Sequence, residues 1–336
     1  MLNIRTVSLN SAALAIFNIL SYLAFASDSN HIRAAEKTMQ FVFRQPHKPR
    51  LRVLGDHSHY HSGCKAVMRT LLRLALKKGW QVVGEQEPFD ALLVNGEGSM
   101  HDGSNQFHRK MEALRGAVDQ RKPAYLVNSV WQDNPNDFDD VLQQLSGLFV
   151  REVLSQNQLL DRHGVTSTVF PDASYFDPIP RWVFPQRFHN RPVVSDFFAE
   201  SKKVNGRRHM FKRFDDLFTD AECLPFIKWS WAKNVVSLRG AAYLITGRHH
   251  AVYAACVARI PFMASDGNTH KISGLVKSSG ANIRVASRPQ EIAGMIDENL
   301  QSLDQYDQLF RWLDSHDIDL LIPSPETALG HLKSVA

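Results

Sequence analysis

Cysteine is scarce in this sequence. Three cysteines, Cys64, Cys223 and Cys256, are spread over 336 residues, without a CxxC pair or a cysteine–histidine pair that reads as a metal motif. This spacing argues against a disulfide framework and indicates no zinc site. We therefore expect no metal, and a reducing compartment, the cytoplasm.

Long apolar runs are also nearly absent. The one candidate, residues 8–26, follows Arg5 and ends in Ala-Phe-Ala, which resembles a signal-peptide cleavage pattern, but asparagines and serines interrupt it. It is weaker than a membrane span of about 20 apolar residues. A signal peptide, an N-terminal amphipathic helix or anchor, and a misassigned start all remain open, and no other segment is predicted to span a membrane.

A strong excess of one charge is missing. Lys and Arg number 39 against 34 Asp and Glu, a net charge of +5, and no helix-turn-helix or aromatic-plus-basic RNA motif is present. We expect no nucleic-acid partner and a small anionic ligand instead. Residues 202–213 hold six Lys or Arg in twelve positions. This run is either a solvated face or a guide for an anionic or lipid-linked saccharide, with peripheral association at the inner face of the membrane.

Length and patterning favour two α/β domains. Short apolar runs alternate with helical periods from residue 51 onward, which is typical of parallel sheets. The predicted strands are 51–55, 81–84, 91–95, 124–129, 148–151, 193–197, 225–229, 243–246, 261–264 and 283–285. The predicted helices between them include 64–78, 105–120, 138–145, 250–258 and 271–279. We predict an N-terminal extension (1–49), a first Rossmann-like domain on the acceptor side (50–177), a proline-rich linker (178–192), a second Rossmann-like domain on the donor side (193–288) and C-terminal helices (289–336). The tail from 290 to 312 is expected to form two helices that pack back across the first domain.

Polar residues follow the predicted strands, at the edge where ligands of open α/β sheets bind. The first such loop carries His61 and Gly63, and the segment after residue 94 reads Asn-Gly-Glu-Gly-Ser-Met-His. Neither GxGxxG nor GxxxxGK[ST] is present, so no nucleotide fingerprint is found. Glu97 either accepts hydrogen bonds from an acceptor hydroxyl or caps the following turn.

Cationic side chains concentrate in the same loops. Arg151 directly follows an apolar run, and Arg248 and His250 follow the strand at 243–246, at a helix N-terminus that favours anions. Alternation predicts that these last two share the ligand side, while His249 packs or stays exposed. Lys271 opens a further helix after a strand and adds a point charge. The adjacent histidines lack the spacing of HExxH sites, which argues against metal.

Taken in order, SxxHxG, NGEGSxH, REVLS, PDAS, GRxHAVxAA and NxxKIxGL resemble the polysaccharide pyruvyltransferase family over roughly residues 51–280. The resemblance implies a GT-B-like fold, with two Rossmann-type domains facing across a cleft. It implies a transferase that moves a pyruvyl group from phosphoenolpyruvate, its donor substrate, to sugar hydroxyls of a cell-surface polysaccharide or exopolysaccharide, or its precursor, with no cofactor. It places Arg151, Arg248, His250 and Lys271 at the donor.

The chemistry of this donor agrees with the residue types. Phosphoenolpyruvate carries a carboxylate and a phosphate, so its site needs several cations, and a histidine suits delivery of a proton to its methylene carbon. His250 is the candidate general acid. The residues predicted to bind substrate are His61, Gly63, Asn95, Glu97, Ser99, His101, Asn128, Asp172 and Asn268.

Two other functions remain open. A GT-B glycosyltransferase that uses a nucleotide sugar shares the architecture and a basic donor site. A catalytically silent sugar-binding or scaffold protein would tolerate loss of Arg248 and His250.

Overall fold

The computed structural model describes residues 48–179, 187–196 and 217–330. Residues from Pro49 onward belong to one compact unit. The apolar run at 8–26, the basic stretch at 202–213 and part of the predicted linker lie outside the described residues. Within the described ranges, no helix combines the length and apolarity needed to cross a membrane.

The first half of this unit is a six-stranded parallel sheet in the order β2-β1-β3-β4-β5-β6. Its elements are β1 (Arg50–Leu54), α1 (Ser62–Lys77), β2 (Gln81–Val83), β3 (Ala91–Glu97), α2 (Asn105–Asp119), β4 (Ala124–Ser129), α3 (Asp139–Leu142), β5 (Gly147–Val150), α4 (Val153–His163) and β6 (Thr168–Val169). Every residue of β3 and β4 is buried, as expected for central parallel strands covered on both faces.

The second half is a four-stranded parallel sheet in the order β10-β9-β7-β8. Its elements are β7 (Pro192–Val194), β8 (Glu222–Cys223), α5 (Trp231–Leu238), β9 (Tyr243–Thr246), α6 (His249–Ala258), β10 (Phe262–Ala264) and α7 (Lys271–Ser279), followed by α8 (Ile296–Gln301), α9 (Leu303–Asp314) and α10 (Pro325–Gly330). Helix α6 is almost wholly buried and lies at the centre of this core.

The predicted α/β fold with two Rossmann-type parallel sheets is confirmed by the strand pairing. The two halves are in contact where the start of α4 meets α7 and the residue before it. Ser278 Oγ of α7 accepts a hydrogen bond from the Val153 N–H of α4 at 2.8 Å, and His270 Nε2 lies 3.3 Å from Glu152 Oε1. The predicted domain boundaries within residues 50–288 stay a prediction.

Two predicted strands are wrong. Residues 225–229 form a turn, in which the N–H groups of Lys228 and Trp229 both donate to the carbonyl of Pro225. Residues 283–285 do not form a strand because the side chain of Asn299 takes the place of a partner strand, accepting from Arg284 N–H and donating to Arg284 C=O.

The helix predictions also need correction. The helix expected over 138–145 is a single turn, α3, whereas α4 and α5 were not predicted. The C-terminal tail packs against the first half only beyond residue 312, not over 290–312 as predicted. Helix α9 packs into the core of the second half, where Tyr306 OH donates to the carbonyl of Phe262. The residues that join the core of the first half are Leu321, Ile322 and Ala328.

Candidate functional site

A buried carboxylate lies at the junction of the two halves. Asp172, which follows β6, is fully buried, and its Oδ2 accepts from Arg151 Nη1 at 2.6 Å. Its Oδ1 accepts from Ser174 N–H, and its own N–H donates to Tyr253 OH of α6. Burial alone would raise the pKa of Asp172, but His250, Arg151 and His249 hold it well below the usual value. The carboxylate therefore stays charged and orients Arg151.

Two basic side chains face Gly98. A methyl group added at Gly98 would lie 3.5 Å from Lys271 Nζ and 3.6 Å from Arg151 Nη2. Within the described part of the chain, buried Arg151 Nε and Nη2 have no hydrogen-bond partner, and Lys271 Nζ donates to Asn268 Oδ1. Buried polar groups without partners are rare, so these nitrogens indicate room for an anion.

Burial, and then the charge of Arg151, lower the pKa of Lys271 to about 7. A bound anion would reverse this effect, because it favours the charged amine. We call the site formed by Gly98, Arg151 and Lys271 the anion cradle. Its charge depends on whether an anion is bound.

Both histidines of α6 face this junction. His250 Nε2 lies 3.5 Å from Asp172 Oδ2, and His249 Nδ1 lies 3.5 Å from Arg151 Nη1. Of the two predicted placements of His249, packed or exposed, the structure has the packed one: the first turn of α6 is buried against the first half, and the ring lies at the junction beside Arg151. Burial and the charge of Arg151 lower the pKa of His249, and the Nε2 atoms of both rings have no hydrogen-bond partner among the described residues.

Arg248 belongs to the cluster but faces a different carboxylate. Its Nε lies 3.0 Å from both carboxylate oxygens of Asp196, just after β7, and its Nη2 also donates to Asp196. Its charge contributes to lowering the pKa of both His61 and Lys271. A role as donor ligand stays a prediction.

The start of α1 packs directly on His250. His61 is the N-cap of α1, and a Cβ at Gly63 would lie 2.4 Å from His250 Cγ, so only glycine permits this approach. The rings of His61 and His250 lie 4.8 Å apart. Burial, followed by the charges of His250 and Arg248, strongly lowers the pKa of His61, which is therefore neutral.

Glu97 anchors a hydrogen-bond network at the end of β3. Its backbone has a φ of 47°, an unusual value for a glutamate and one associated with functional sites. Its oxygens accept from His57 Nδ1 at 3.0 Å and Asn95 Nδ2 at 3.1 Å, and Cys64 Sγ lies 3.3 Å away. Burial raises the pKa of Glu97, but the hydrogen bond from His57 and the charge of His250 bring it below the usual value.

Lys110 of α2 holds the loop after Glu97 in place. Its Nζ donates to the carbonyls of Asn95 and Gly96 and to Ser99 Oγ, all within 2.8 Å. Burial lowers its pKa to about 7. Lys110 is thus a positioning residue for the segment that carries Glu97 and Gly98.

Three predicted substrate-binding residues are hydrogen-bonded inside the protein. Asn95 Nδ2 also donates to the carbonyl of Gly55, Ser99 Oγ donates to that of Gly96, and Asn128 links the end of β4 to Asn95 and Ala173. Their direct contact with substrate stays a prediction.

His101 and Asn268 join the two halves near the cradle. Asn268 Nδ2 lies 3.1 Å from His101 Nε2, and its Oδ1 is held by Lys271. The structure therefore brings the predicted residues of both halves together, with Arg248 turned to Asp196.

Sequence reasoning missed several residues of this site, and each had a weak signal. His57 belongs to the histidine-rich loop already noted, and Asp196 lies within a predicted strand. Lys110 and Tyr253 lie inside helices, where nothing in the sequence separates them from surface or core residues.

Two groups of described residues can offer metal ligands. One is His61, Cys64 and His250; the other is Asp172, His249 and His250. His61 and Cys64 are only three residues apart and match no metal motif in the sequence, but the N-terminus of α1 brings their side chains together.

No protein-family model matches this chain, and no curated protein matches it. Several solved structures are similar in fold. The glycotransferase of kitacinnamycin is 8% identical with a TM-score of 0.47, covering 87% of this chain and 100% of that chain. The UDP-GlcNAc 2-epimerase from Neisseria meningitidis is 9% identical with a TM-score of 0.45, covering 85% and 99%. The UDP-GlcNAc 2-epimerase from Methanocaldococcus jannaschii is 10% identical with a TM-score of 0.42, covering 80% and 99%. At these scores the likenesses carry no argument about activity, and the two-sheet architecture rests on the strand pairing.

Proposed function

We propose that this protein is a transferase with a phosphorylated donor and a saccharide acceptor, and that the donor is phosphoenolpyruvate. The observation that carries the proposal is the space beside Gly98, flanked by the unpartnered guanidinium nitrogens of Arg151 and the amine of Lys271. A small donor with two anionic groups suits this confined, cationic space.

The side chains match the needs of pyruvyl transfer. Arg151 and Lys271 neutralise the phosphate and carboxylate and stabilise the departing phosphate. His250 delivers a proton to the methylene carbon, which becomes a methyl group. Two acceptor hydroxyls then bond to the central carbon as the phosphate ester bond breaks. Of the two hydroxyl protons released, one leaves on the phosphate and the other replaces the proton that His250 gave to the methyl group.

In this proposal Glu97 and His57, both in the first half, serve the acceptor. A charged carboxylate next to a partly exposed histidine can accept a hydroxyl proton. Lipid linkage of the acceptor and association with the inner membrane face belong to the proposal and rest on the sequence of residues 202–213.

A nucleotide-sugar glycosyltransferase is the second candidate. The observation that favours it is the start of α6. The N-cap residue there is Arg248, no side chain caps the helix, and the Nε2 of His249 has no hydrogen-bond partner among the described residues. A helix N-terminus with such donors also suits a diphosphate. UDP-GlcNAc is the probe for this candidate because two of the similar structures are named for it.

Calorimetry with phosphoenolpyruvate and UDP-GlcNAc, followed by phosphate release against a saccharide panel, tests the proposal. We expect phosphoenolpyruvate to bind and phosphate to be released only with an acceptor. Lys271→Met should abolish both, whereas Lys277→Met, an exposed lysine of the same helix, should leave them unchanged. Binding of UDP-GlcNAc without binding of phosphoenolpyruvate would replace the proposal by the second candidate.

A further inference from the structure

A thiol and two imidazoles meet at the junction of the two halves. Cys64 Sγ lies 3.5 Å from His61 Nε2, and the ligand atoms of Cys64, His61 and His250 all lie within 4.8 Å of one another. All three residues are buried, with exposures of 2%, 7% and 7%. The transfer chemistry above uses His250 and has no role for the thiol.

Local structure explains this convergence. His61 is the N-cap of α1 and Cys64 follows three residues later, so both side chains lie on the same face of the first turn. His250 comes from the first turn of α6, and Gly63 permits the close approach of the two helices. Ligands from both halves therefore meet at one point.

We propose that Cys64, His61 and His250 form a binding site for one thiophilic metal ion of the Zn²⁺ class. Tetrahedral Zn²⁺ with thiolate and imidazole ligands places these atoms about 3.3–3.6 Å apart, the spacing that Cys64 Sγ and His61 Nε2 already have, at 3.5 Å. The Nε2 of His250 is the second observation, because it is a buried ring nitrogen that makes no well-formed hydrogen bond among the described residues; its polar contact is with Asp172 Oδ2 at 3.5 Å, an ion pair only when the ring is protonated. Hard cations such as Mg²⁺ do not suit this donor set.

Coordination rearranges protons at two ligands. The Cys64 thiol loses its proton to the buffer as the metal–sulfur bond forms. His61 Nδ1 accepts from Gly63 N–H, which leaves the proton of the neutral ring on Nε2. Binding through Nε2 moves that proton to Nδ1 and breaks the hydrogen bond from Gly63. The site is therefore less preorganised than a structural zinc site.

The other candidate group is less suitable. Asp172 belongs to it, but Arg151 Nη1 lies 2.6 Å from the carboxylate oxygen that a metal would need. A metal there would lie beside a buried guanidinium charge. The group with Cys64 has the softer donors, and among the described residues the thiol contacts His61 and the carboxylate of Glu97 rather than a guanidinium.

Metal at this site takes His250 out of the transfer chemistry and ties the two halves together. The expected consequence is reversible inhibition by Zn²⁺, relieved by a chelator. Because metal binding is measured directly, the site is tested independently of the proposed function.

Titration of the full chain with Cd²⁺, followed by ultraviolet thiolate-to-metal charge-transfer absorption, provides the test. One equivalent of Cd²⁺ should produce the band in the wild type and in Cys223→Ser, the control at an exposed thiol. Cys64→Ser should abolish the band, and His250→Gln should weaken Cd²⁺ binding by about 100-fold or more, beyond what loss of an outer-shell partner causes.

Several outcomes would overturn the site: no band in the wild type, a band that persists in Cys64→Ser, or unchanged affinity in His250→Gln. Thermal unfolding without metal checks that the variants fold. If Cys64→Ser and Cys64→Ala both fail to fold, the Cd²⁺ affinities of His61→Gln and His250→Gln are measured instead. Unchanged Cd²⁺ affinity in both variants refutes the proposal.

Discussion

Gly98→Ala is the sharpest test of the anion cradle. The added methyl group would lie 3.5 Å from Lys271 Nζ and 3.6 Å from Arg151 Nη2, which is ordinary van der Waals contact, so we expect the protein to fold normally. A phosphate or carboxylate that binds both nitrogens has its oxygens in this space. Losing at least one charge-assisted hydrogen bond, about 1.5–3 kcal/mol, weakens donor binding roughly ten- to hundred-fold.

Calorimetric titration with phosphoenolpyruvate, or with UDP-GlcNAc if the wild type binds that instead, measures this effect. Gly116→Ala is the matched control, because it adds a methyl group in α2 with no atom within 4 Å. It should leave donor affinity unchanged and stabilise the helix by about 0.5–1 kcal/mol. If Gly98→Ala folds and binds donor as tightly as the wild type, the cradle does not hold the anion.

Four further outcomes are expected. His250→Gln should lower kcat by about 10²–10⁴ with little change in donor affinity, as for loss of a general acid; steady-state kinetics that show only a raised KM would instead make His250 a binding residue. Donor affinity should be highest below pH 7 and fall above it, because Lys271, whose pKa is about 7 in the free protein, must be protonated to bind an anion; calorimetry across pH should find this dependence, and Lys271→Arg should remove it. Lys110→Met should destabilise the protein by about 1–3 kcal/mol by leaving carbonyl groups without a donor, and urea unfolding beside the exposed-lysine control Lys65→Met checks it. Treatment with EDTA should leave turnover intact, whereas activity lost to EDTA and restored by Mg²⁺ would contradict metal-free transfer.

The sequence predicted the sheets well where strands are central and buried. Strands β4 and β9 have the predicted bounds, because a continuous apolar run between turn residues is typical of a buried strand in a parallel sheet. Helix α7 also has the predicted bounds. The edges were harder to predict. At residues 283–285, a side chain 14 to 16 positions away replaced a strand partner, and no local pattern encodes that contact.

The residues of the candidate site divide in the same way. Arg151, His250 and Lys271 could be selected from the sequence because polar residues in the loops and helix starts that follow buried strands converge at one edge of a parallel sheet. The direction of each side chain was decided by tertiary contacts. Arg248 turns to Asp196, and His249 turns into the junction beside Arg151. Local alternation indicates which residues neighbour each other on a helix, but the charges that attract them come from distant parts of the chain, and only the folded structure brings those charges together.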